Sequence, residues 1–95
     1  MSVKEAFVRQ TEEQIEEWQA QLDEFNRKLE EAEAQSKAEI ENSIAQMEKT
    51  LEQALAMQEQ VQKASENAWN DMSSATEKAY EQLKKGWEKA LSRYE

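Results

Sequence analysis

The chain has 95 residues, 12 basic and 21 acidic, a net charge of −9, and no histidine, cysteine or proline. One domain is the most that length allows; thiol chemistry, disulfides and the common soft-metal sites are excluded. The acidic balance speaks against nucleic acid, whose binding rests on Lys and Arg meeting phosphate, and against simple attraction to anionic membranes. Leu, Ile, Val and Phe together are only 14 of the 95 residues. That scarcity, with high charge, approaches the composition of disordered chains, so stability is expected to be modest or to depend on self-association. The opening MSVKEAF lacks the apolar run of a signal peptide, and no stretch approaches ~20 apolar residues, so a cytoplasmic protein is expected.

Ser2 and Glu5 have the spacing of a capping box, which opens the first helix. Behind it runs an apolar stripe, Val8, Thr11, Ile15, Trp18, Leu22, Phe25, Leu29 and Ala32, at steps of three and four. It continues as Ile40, Ile44, Met47, Leu51, Ala54 and Val61. From Val8 to Tyr94 the mean step is about 3.6 residues, the pitch of a straight helix, not the 3.5 repeat that forces a left-handed supercoil. Bundle-like packing with locally heptad segments follows.

The best turn lies within residues 64–74, where Ser, Asn and Asp concentrate and compete for backbone hydrogen bonds. Asn67 or Ser74 is the expected cap. A weaker break is at Gln35–Ser36, where Ser36 and Glu39 repeat the capping-box spacing among strong helix formers. The expected fold is therefore all-α, a single domain over 1–95. Its form is a long amphipathic hairpin, coiled-coil-like, with a long acidic helix over about 3–63 and a near-neutral C-terminal helix to about 94. Residues 1–64 carry 15 acids against 7 bases, and residues 65–95 carry 6 against 5. At 1.5 Å per residue the helices would be about 90 and 42 Å long. The uncovered half of the long stripe would need another chain, which predicts a homo-oligomer. The alternative, a three-helix bundle, closes as a monomer.

Acid-first pairs at four-residue spacing, Asp23–Arg27, Glu24–Lys28, Glu33–Lys37, Glu59–Lys63 and Glu81–Lys85, support helix continuity. In the last third, Ala68-Trp69-x-x-Met72, Ala79-Tyr80-x-x-Leu83 and Ala90-Leu91-x-x-Tyr94 repeat every eleven residues, three helical turns, and so line one face. The expected helix-packing or interaction anchors are Trp18, Leu22, Phe25, Trp69, Leu83 and Trp87. Gly86, the only glycine, either permits a close crossing or is simply tolerated. The acid runs Glu12-Glu13, Glu16-Glu17 and Glu30-Glu31 read as a solvated face: calcium needs oxygens arranged around a bend, and di-iron bundles need histidine. With no His or Cys base or nucleophile and no phosphate loop, no enzyme, metal or cofactor is expected.

Asn67-Ala68-Trp69-Asn70-Asp71-Met72, Ala79-Tyr80-Glu81-x-Leu83 and Ser92-Arg93-Tyr94 resemble the tail of a family of small bacterial coiled-coil proteins. That tail reads S-G-D-A-W-E-D-L, then A-W-x-x-L, then S-R-F. The family occurs in cyanobacteria and proteobacteria and is labelled stress-response or uncharacterised. The segment AFVRQTEEQIEEWQAQLDEF is similar to its opening. Glu66 stands where the family has glycine, Asn67 where it has an acid, and Tyr80 where it has a second tryptophan. The resemblance implies a cytoplasmic, all-helical protein associated with stress.

Three functions are then expected. The first is a non-enzymatic, self-associating helical protein with a stress role, acting through helix–helix contacts with its own copies or a protein partner. The second is a phasin-like protein binding a lipid or granule surface weakly through residues 65–95. The third is a hydrophilic protective chain.

Overall fold

The computed structural model describes residues 2–92. Arg93 and Tyr94, where the last helix and the third repeat unit were expected to end, lie outside them. The described residues form three helices: α1 Val3–Glu31, α2 Ala34–Lys63 and α3 Glu66–Ser92. α1 starts where the capping box places it, with the Glu5 amide donating to Ser2 Oγ at 3.1 Å. α2 lies against both other helices. The Lys4 ammonium reaches the Gln62 carbonyl at 3.3 Å, so α1 and α2 are antiparallel, and α1 and α3 run the same way. The bundle measures 52 × 19 × 18 Å, its length set by helices of 29, 30 and 27 residues.

The all-α bundle is as expected, but its form is the three-helix alternative. The uninterrupted helix over 3–63 is broken at Ala32–Glu33. Both residues are extended, with ψ of 149° and 159°. Local propensity favours helix there, and tertiary burial overrides it. Folding back two segments of 29 and 30 residues lets each stripe cover the other, whereas a straight helix leaves half of it in water. The break precedes Ser36, whose amide lies in the first turn of α2 and donates to the Glu33 carbonyl at 2.9 Å.

The second break, Ala64–Ser65, is at the near edge of the expected turn. Its cap is Ser65, not Asn67 or Ser74: Ser65 Oγ accepts the Ala68 amide at 3.1 Å. Asn67 falls in the first turn of α3 and Ser74 in its interior. Serine at this position already satisfies an orphan amide, so the helix starts two residues earlier than an asparagine cap would allow.

The stripe supplies most of the core, with Val8, Leu22, Leu29 and Ala32 half-buried against it. Ile40, Ile44, Met47, Leu51, Ala54 and Val61 of α2 are all buried, as are Thr11, Ile15, Trp18 and Phe25 of α1. Among the described residues the exposed large apolar side chains are Val3 and Leu55. Among the described residues the closed bundle thus leaves no half of the stripe uncovered, and the geometric requirement for a second chain does not apply to it.

Candidate interaction seam

α1 and α3 meet chiefly through aromatic rings, whereas α2 approaches each of them closely along its length. Phe7 and Trp18 on α1 are eleven residues apart, and so are Trp69 and Tyr80 on α3. Eleven residues are close to three whole turns, so each pair stands on one face. Because the two helices run parallel, the pairs interleave. Trp69 lies against Phe7 at 5.1 Å between ring centroids. Phe7 meets Tyr80 edge-on at 5.8 Å, Tyr80 stacks on Trp18 at 6.2 Å, and Trp18 stacks on Trp87 at 4.8 Å and 11°. The result is a ladder of five rings drawn alternately from α3 and α1. Such pairs contribute about 0.5–1.5 kcal/mol each beyond their burial.

Of the expected anchors, Trp18, Phe25, Trp69 and Trp87 are buried, and Leu22 and Leu83 are half-buried against the same core. Trp18 and Trp87 are brought into contact, and Trp69 joins them through Phe7 and Tyr80. Phe25 sits nearer the Ala32–Glu33 end, beneath the Lys28 ammonium at 5.0 Å. Sequence reasoning missed Phe7 and the place of Tyr80. Their signal was the shared eleven-residue spacing on the two segments, visible only once both are compared. It also missed Gln21, whose Oε1 accepts the Trp87 indole N–H at 2.6 Å. That bond satisfies the one polar atom of a ring that is 2% exposed and fixes its orientation.

Tyr80 is the exception to this satisfaction. Its hydroxyl is buried with no hydrogen-bond partner among the described residues. Burial, then the carboxylates of Glu81 and Glu17, push its pKa up to about 12. The Lys84 ammonium stands 5.8 Å from its ring. A phenol held neutral in this way is less able to transfer a proton at physiological pH. Beside the last two rings of the ladder, a groove of about 220 Å³ runs along the edges of Trp18 and Trp87 between Glu17, Lys84 and Glu88.

The surface is charged and loosely paired. Glu59–Lys63 forms at 2.9 Å as its spacing suggests. Glu24 and Glu81 instead reach cations three residues on, Arg27 at 3.0 Å and Lys84 at 3.5 Å. Among the described residues no group of three or more carboxylates is placed to hold a metal ion, and no helix is long and apolar enough to cross a membrane. No family model, curated protein or solved structure matches this chain.

Proposed function

We propose that this chain is a non-enzymatic cytoplasmic protein that works by helix–helix association with its own copies, in a stress-related role. The observation that carries the proposal is the ring ladder. Phe7 and Trp18 on one helix, and Trp69, Tyr80 and Trp87 on another, form a surface that any α1 can offer to any α3. Within one chain the tether favours the closed bundle. Between chains the same contacts become available when protein concentration rises, as on water loss, or when heat raises the population of opened chains. Both are conditions of stress. The similarity of Asn67–Met72 and Ala79–Leu83 to the bacterial coiled-coil family supports that role. A lipid surface would have to compete with the contacts that now cover all three tryptophans.

The test is the thermal midpoint across a hundredfold range of protein concentration. An assembling protein melts at a higher temperature when concentrated, by mass action. A midpoint that stays fixed across the range removes self-association from the reading.

A further inference from the structure

The two breaks between helices are held differently. At Ala64–Ser65 the serine hydroxyl takes the Ala68 amide. At Ala32–Glu33 the N-cap position is Glu33, whose side chain makes no cap hydrogen bond. Residues 30–35, Glu-Glu-Ala-Glu-Ala-Gln, are strong helix formers with no glycine or proline among them. Ala32 and Glu33 already have φ of −74° and −73°, as in a helix, and differ from helical residues in ψ alone. The stripe also passes this break in phase: Phe25, Leu29, Ala32, Ser36 and Ile40 keep steps of three and four. Turning two ψ angles therefore joins α1 and α2 into one helix with a single apolar face.

We infer that this chain forms a domain-swapped dimer by straightening at Ala32–Glu33. α1 and α2 become one helix over 3–63, and α1 of each copy leaves its own α2 and α3 to pack on those of the second copy. The inference rests on the proposed self-association and supplies its mechanism. The occupant is fixed by identity: a second copy restores every contact of the closed bundle, including the ring ladder and the Trp87–Gln21 bond, and only the break changes. Exchange of identical elements is a low-cost route to a dimer. The capped break at Ala64–Ser65 stays closed, so α2 and α3 move as a pair.

Ala34→Pro tests it. In the closed bundle Ala34 is the first residue of α2 and follows an extended Glu33, the conformations that proline and its predecessor require. In the straight helix the same proline sits in the interior and disfavours it by roughly 100-fold or more per chain. The full chain and the variant are concentrated, held just below the melting midpoint, cooled, and separated by size with light scattering. The wild type is expected to yield a dimer, and Ala34→Pro only monomer with an equal or higher midpoint. Dimer in equal yield from both overturns the straightening and leaves self-association standing. No dimer from either overturns both. A second measurement does not depend on the proline. Gln10 and Ala56 are exposed on facing helices, and the chain has no cysteine. Spin labels on Gln10→Cys and Ala56→Cys, diluted into unlabelled protein, should be about 70 Å apart within one chain of the dimer at 1.5 Å per residue. A separation no greater than the width of the bundle overturns the swap.

Discussion

At the scale of the residue, Tyr80 is where packing and polarity conflict. Its ring completes the ladder between Phe7 and Trp18, and its hydroxyl is buried without a hydrogen-bond partner among the described residues. The fold favours the neutral phenol, since its pKa rises from 10.0 to about 12. Its contribution is complete below pH 10, the unfolded value, and is lost as pH climbs from 10 through about 12. Tyr80→Phe keeps the ring and removes the conflict. At pH 7 the variant should be more stable by about 1 kcal/mol, because a buried unpaired hydroxyl is costly. Between pH 10 and 12 it should also lose less stability than the wild type. Urea melts of both proteins across that range check this. Equal losses would mean that the Tyr80 hydroxyl reaches water. None of this was legible in the sequence. The repeat placed Tyr80 on a face, but whether its oxygen finds a partner depends on Phe7 and Trp18 of another helix.

At the scale of the element, Gly86 separates two readings that the sequence left open. A glycine that permits a close crossing has backbone or packed side chain where a Cβ would go. Among the described residues, a Cβ here would meet only Thr50 Oγ1, at 4.0 Å, ordinary contact distance. The glycine is therefore tolerated. Gly86→Ala should raise stability by about 0.8–1 kcal/mol through helix propensity, with the near-ultraviolet dichroism of the stacked Trp18 and Trp87 unchanged. A lower midpoint would show a close approach at that turn. The helices themselves were legible because period and capping agreed: Ile40, Ile44, Met47, Leu51, Ala54 and Val61 were read as one face and all are buried. The break at Ala32–Glu33 was legible only in part: the weaker candidate at Gln35–Ser36 lies within three residues of it, but the strong helix formers around it hid its place. Neither residue is a breaker, and the bend exists because two stripes of nearly equal length bury each other. Ser65 was legible in principle, as a serine with its orphan amide three residues on. Asn67 and Ser74 stood in the same polar stretch and obscured it.

At the scale of the molecule, charge opposes everything that the stripe favours. Each copy carries a net charge of −9 on a body only 19 Å wide. Its ion pairs join side chains that are mostly in water, where such pairs are worth little. Self-repulsion is then the dominant electrostatic effect, both within the closed bundle and between two copies. Salt shortens the reach of that repulsion, from about 30 Å at 0.01 M to about 10 Å at 0.1 M, while apolar contacts between rings are little changed by chloride. Both the melting midpoint and the dimer fraction are therefore expected to rise as sodium chloride increases through this range, and to level off once the screening length falls well below the bundle width. Sedimentation velocity at fixed protein concentration reads the second quantity and calorimetry the first. A dimer that weakens with salt would be held by charge pairing across an acidic surface, and exchange of the aromatic faces would not be its cause. A midpoint that rises while the dimer stays absent would confine the effect of charge to the single chain, and the stripe would serve only its own bundle.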